Sequence, residues 1–260
     1  MARIWIPLPD RDFDVTEVAV PWRLFTRAGH QVTFTTEVGG TPPVCDPLLL
    51  GGVVFGKLGA AGEPRAFYAE LERAPEFRAP ASWREIDPLA FDALVLPGGH
   101  APGMKQYLAS AELHRQVAAF FASGRPVGAI CHGVLVAARA GALRERRTTC
   151  LPKYMERSAY LLTFWKLGRY YRTYPAYVED EVKAALADPA AQFERGPRTV
   201  SRRGTIDDDR AAFAVEDGNY VSARWPGDAY LFARRILAHI EATGERPIAR
   251  GGTGIAPSVA

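Results

Sequence analysis

Cysteine is scarce in this 260-residue chain: Cys45, Cys131 and Cys150 are the three present, and no two stand at the short Cys-x-x-Cys spacing. That excludes a disulfide framework and gives no support to a zinc site of the paired-cysteine kind, so each thiol has to be judged by its own surroundings. Strong charge of either sign is missing too. The formal net charge is +3, and short basic clusters such as Arg144, Arg146, Arg147 and Arg202, Arg203 lie among acidic residues, a balance that indicates no nucleic-acid partner. There is no apolar run of about 18 residues and no charged leader with a small-residue cleavage site. Met1 to Asp10 goes straight into an apolar strand pattern. The expectation is a cytoplasmic protein without a membrane partner.

What is present is material for a core. Hydrophobic residues make up 48% of the chain and charged residues 23%, the proportions of an ordinary soluble domain. The length suits one α/β domain, expected over residues 1–244, with 245–260 as a loose tail. Apolar periodicity and turn residues predict a strand over 3–7, a helix over 15–28 closed by Gly29, and a strand over 31–36. A glycine- and proline-rich loop follows over 39–62. Further along, the pattern reads as a helix over 66–74, a strand over 91–96 ending in Pro97-Gly98-Gly99, a helix over 105–123 and a strand over 126–130. After the next helix, 147–151 reads as a strand and 154–167 and 177–187 as helices. A hairpin over 213–223 around Asp217-Gly218 and a helix over 228–242 complete the pattern. This alternation predicts a flavodoxin-like three-layer sandwich with a mostly parallel sheet, in which ligands bind at the carboxyl ends of the strands. Residues 151–195, dense in aromatics, are an expected helical cover over such a site.

The junction at Ala129-Ile130-Cys131-His132-Gly133 concentrates the chemistry. A buried strand runs without a linker into a helix, and the small residue Gly133 permits the sharp turn of a nucleophile elbow. A thiol at a helix amino terminus meets backbone N–H groups and a favourable dipole, so the expectation is a lowered pKa and a reactive Cys131. His132, next in sequence, is the expected base, able to accept the thiol proton or to move protons on a substrate.

Together with Phe91-Asp92-Ala93-Leu94-Val95-Leu96-Pro97-Gly98-Gly99-His100, the elbow resembles the ThiJ/PfpI superfamily, nearest its glyoxalase III and heat-shock-chaperone branch. The resemblance runs from Arg3 to about Ala242. It implies that Gly99 and His132 offer backbone N–H groups to a developing oxyanion, with Gly98, His100 and Gly133 as the rest of the substrate surface. It also places Glu17 beside the cysteine as a protonated carboxyl, and it implies a third acid that orients the histidine. Aligning Thr148-Thr149 with the strand after the elbow helix points to Glu156, with Glu179 and Asp180 as alternatives. Tyr170, Tyr171 and Tyr174, near Arg169 and Arg172, read as core packing, with a lid or a dimer surface as the alternatives.

The function expected is a cysteine-dependent enzyme that needs no cofactor or metal and converts small 2-oxoaldehydes to 2-hydroxy acids. An amidase, peptidase or isonitrile hydratase on the same scaffold is the alternative, as is a redox-sensing holding chaperone. A homodimer is implied by the resemblance alone. His239-Ile240-Glu241 imitates a glutamine amidotransferase signature but falls inside an expected helix, which argues against that activity.

Overall fold

The computed structural model describes residues 1–53, 59–172, 174–199 and 202–244; the expected tail, 245–260, lies outside them. Among the described residues nine strands are formed: β1 (Arg3–Pro7), β2 (Arg11–Phe13), β3 (Gln31–Thr36), β4 (Val44–Cys45), β5 (Ala81–Ser82), β6 (Ala93–Leu96), β7 (Val127–Ile130), β8 (Ala214–Asp217) and β9 (Tyr220–Ala223). Seven of them make one sheet in the order β5-β3-β1-β6-β7-β9-β8, and β2 pairs with β4 separately. Every pairing is parallel except that of β8 with β9, where Asp217 faces Tyr220 across the turn. The strands β6 and β7 are buried along their whole length, because helices cover both faces of a parallel sheet.

The helices Val15–Arg27 and Ala229–Gly244 pack together on one side, and Ala111–Ala122 lies with Gly133–Arg139. A single continuous apolar core runs through the sheet, from Ile4 and Trp5 to Phe232 and Ile236. The strand order reverses between β1 and β6. At such a reversal the loops leaving the two strands diverge and open a crevice above the strand ends.

Three expectations need correction. The helix expected over 105–123 is two, Met104–Leu108 and Ala111–Ala122, because the Ser110 hydroxyl accepts from the Leu113 N–H and caps a new start. The strand expected over 147–151 is reduced to one bridge between Thr148 and Phe193; the Thr149 N–H goes to the Ser222 side chain instead. Within the glycine-rich stretch, 54–58 lie outside the described residues, while β4 and the short helix Pro47–Gly51 were not foreseen. Among the described residues no helix is long and apolar enough to cross a membrane.

Candidate active site

Cys131 follows β7 directly and has φ 57°, one of two non-glycine residues described in the left-handed region. A side chain held there is strained, and the fold must over-determine the turn to keep it. The neighbouring glycines show how. A Cβ on Gly133 would sit 2.0 Å from the Leu96 carbonyl oxygen, and one on Gly98 would sit 2.7 Å from the His132 nitrogen. The two βα turns are therefore in backbone contact, which only glycine allows.

Glu17 reaches this junction from the first helix. Asp14 caps that helix, accepting from the Thr16 and Glu17 N–H groups at 2.8 and 3.1 Å, and so sets the register that turns Glu17 inward. The Glu17 side chain is fully buried; its Oε2 accepts from the Gly98 N–H at 2.8 Å, while Oε1 has no hydrogen-bond partner. Gly98, expected as part of the substrate surface, thus spends its amide on holding Glu17. The Gly99 N–H makes no hydrogen bond within the described residues, and that of His132 faces the cysteine sulfur.

Burial pushes the Glu17 carboxyl well above the usual carboxylate range, and the nearby Asp14 adds to this. Asp14 itself is raised to about 6, chiefly by burial. The Cys131 thiol moves up as well, first through burial and then through the Glu17 and Asp14 carboxylates, against which the His132 N–H works. The lowered thiol pKa expected from the helix terminus is therefore overturned: the helix has only the seven residues Gly133–Arg139, and burial, with the neighbouring acids second, outweighs its dipole. Burial and the neighbouring Asp14 favour the protonated form of Glu17.

His132 lies with Nδ1 3.5 Å from Cys131 Sγ. Its Nε2 has no partner although the residue is fully buried. Burial, then His100 and Arg139, hold the imidazole well below its ordinary pKa, so the ring is neutral and able to take a proton. His100 packs edge-on against it with ring centroids 4.3 Å apart, and Tyr171 packs against His100 in turn.

Of the three candidate acids, the structure brings Glu156 to the histidine. Ligand atoms of His100, His132 and Glu156 lie within 4.8 Å of one another. Glu156 is buried, accepts from the Val178 N–H at 3.0 Å, faces Arg172 at 3.6 Å, and has its pKa raised by burial to about 7. Glu179 is turned away, held by Arg195, Lys183 and the Lys153 N–H, and Asp180 pairs with Lys153 at the surface. His239 sits in the last helix and bonds Glu216 at 2.9 Å, far in the fold from the strand ends and no part of this site.

A family model of the ThiJ/PfpI family-like proteins matches residues 8–197. The chain belongs to the ThiJ/PfpI family. A deglycase of Pyrococcus abyssi is 31% identical over 226 residues, which cover 86% of this chain and 92% of the relative. An uncharacterised protein of Schizosaccharomyces pombe is 27% identical over 242 residues, covering 90% and 82%. Among solved structures, glyoxalase III from Candida albicans superposes with a TM-score of 0.64 at 17% identity over 92% of this chain and 97% of that one, a likeness of fold. These relatives support an enzymatic role for a member of the ThiJ/PfpI family.

Two contributors escaped the sequence reading. Asp14 is one, although an acid three residues before Glu17 at a helix start is itself a capping signal. Asp46 is the other. It is fully buried beneath the cover and accepts from the hydroxyls of Tyr170 and Tyr171, each at 3.1 Å. No local pattern announces a contact across more than a hundred residues.

Proposed function

We propose that this ThiJ/PfpI protein is a cysteine-dependent, cofactor-free enzyme of small carbonyl compounds that converts a 2-oxoaldehyde to its 2-hydroxy acid. The observation that carries the reading is Cys131 on a strained elbow between two buried proton carriers of opposite readiness, a protonated Glu17 and a neutral His132. His132 takes the thiol proton as sulfur adds to the aldehyde carbon, and returns it to the new oxyanion, which the Gly99 and His132 N–H groups face. His132 then removes the hydrogen on that carbon as a proton while Glu17 protonates the adjacent carbonyl oxygen, giving an enediol. Reversing the roles, the imidazolium protonates the second carbon and the Glu17 carboxylate takes the proton of the first hydroxyl, leaving a thioester of the hydroxy acid. Water, with His132 as base, cleaves the thioester and restores the thiol. The sum is substrate plus water to hydroxy acid, with no electron acceptor required.

Several relatives are named deglycases, and release of a carbonyl adduct from an amine begins with attack on an equivalent carbon. The test is lactate formation from methylglyoxal, and from methylglyoxal bound to an amine, by protein without glutathione. Cys131→Ala should abolish it, and His132→Ala should lower it about 100-fold to 10,000-fold, the usual worth of a general acid–base group. Amide hydrolysis or isonitrile hydration without lactate would reassign the site to a hydrolase or hydratase.

One observation favours a second reading as a holding chaperone: Leu161, Leu162, Phe164 and Trp165 on the cover are half or more exposed. Suppression of client aggregation that is lost in Leu162→Glu/Trp165→Glu, with carbonyl turnover absent, would select it.

A further inference from the structure

We propose that His100, His132 and Glu156 form a binding site for a first-row divalent transition metal, for which Zn²⁺ is the probe. Two imidazoles and one carboxylate are the donor set such ions prefer, and among the described residues this is the cluster of that kind, with its ligand atoms within 4.8 Å of one another. A second observation points into the same space. His132 is fully buried, its Nδ1 faces Cys131 Sγ, and the nitrogen at the far end of the ring, Nε2, is without a hydrogen bond. A buried polar atom left unpaired costs free energy that a ligand would recover.

The supporting contacts suit a metal. Val178 N–H and Arg172 hold the Glu156 carboxylate, and the edge-on contact of the two imidazoles fixes their planes; such outer partners orient ligands and are worth about 10- to 100-fold in affinity. Zinc bonds of about 2.0–2.2 Å require the three ligand atoms to close in by side-chain rotation. His100 is the partly exposed member of the three. Arg172 adds a positive charge beside the site, so binding is weaker than in a structural zinc site and reversible.

A metal on Nε2 takes His132 out of proton transfer, and the consequence that Zn²⁺ inhibits turnover rests on the reaction proposed above. Binding itself is tested without substrate. Chelator-treated protein titrated with Co²⁺ should take up one equivalent, with ligand-field absorption and no thiolate charge-transfer band, and Zn²⁺ should displace it. Expected affinity falls at least about tenfold in His100→Gln and in Glu156→Gln and is unchanged in Cys131→Ala. His100→Gln keeps the test open should Glu156→Gln fail to fold, because His100 lies on a partly exposed turn. Absence of saturable binding, equal affinity in His100→Gln, or a thiolate band that disappears with Cys131→Ala would each overturn the assignment.

Discussion

The proton on Cys131 has two places to go, and they differ in kind. Glu17 is a carboxyl that burial holds toward its protonated form and whose ionisation would raise the thiol pKa, while His132 is a neutral ring held ready to accept. Glu17→Gln keeps an oxygen for the Gly98 N–H but cannot ionise, so as pH is raised no carboxylate forms beside the sulfur and the thiol of the variant should ionise at lower pH than in the parent. The expected result is faster alkylation of Cys131 on the alkaline side of neutrality, where the parent's Glu17 ionises, together with lower turnover, since the amide has no proton to transfer. Iodoacetamide rates followed against pH, with mass mapping of the labelled site, check both. An unshifted profile would mean that Glu17 does not act on the sulfur. Cys45, raised to about 11 by burial, and Cys150, fully buried and raised further beside Glu179 and Glu156, should label more slowly than Cys131. Neither has an adjacent histidine to receive its proton.

Between elements, the site depends on two close approaches. The first is backbone on backbone at the elbow. Gly133→Ala places a methyl group 2.0 Å from the Leu96 oxygen, which β6 cannot yield without leaving the sheet, and a loss of about 3 kcal/mol, the upper range of overpacking costs, is expected in denaturant unfolding. The second is the cover, where Tyr170 and Tyr171 hang from Asp46 and Tyr171 closes over His100. Cys131 is only 3% exposed, and access of a reagent to it is expected to depend on this cover. Tyr170→Phe/Tyr171→Phe removes both hydroxyls and keeps the rings; alkylation of Cys131 should quicken several-fold, and stability should fall by about 1–3 kcal/mol because the buried Asp46 Oδ2 loses its donor. The elbow was legible in the sequence because strand, cysteine and glycine are contiguous and their periodicity is local. The latch was not, because Asp46 meets its tyrosines across a fold that neither segment encodes alone.

For the whole molecule, the ladder β5-β3-β1-β6-β7-β9-β8 follows from alternating apolar strands and amphipathic helices, which is why the α/β sandwich could be read before any contact was known. Short strands such as Ala81–Ser82 and the bridge at Thr148 carry too few residues for a period and are placed by their neighbours. The same separation governs the acids. Glu156 and Glu179 look alike in sequence, and only packing decides that one faces His132 while the other meets Arg195 and Lys183. Their difference reaches global stability. Arg195, Lys183 and the Lys153 N–H overcome burial and hold Glu179 at about 2, below its usual 4.5. A folded-state value beneath the unfolded one means that the stabilisation is present above about 4.5 and is lost as pH falls toward 2. Asp14 runs the other way. Raised to about 6 by burial, it favours the fold when protonated, and that contribution declines as pH rises from the unfolded value of 3.8 through 6. Taken together, these two trends favour the fold most near about pH 4, where Glu179 is largely ionised and Asp14 still largely protonated. Glu179→Gln should therefore be less stable than the parent at pH 6, with the gap in unfolding free energy closing as pH is lowered from about 4.5 to about 2. A gap that stays constant across that range in urea titrations would show that Glu179 stabilises by packing and not by its charge.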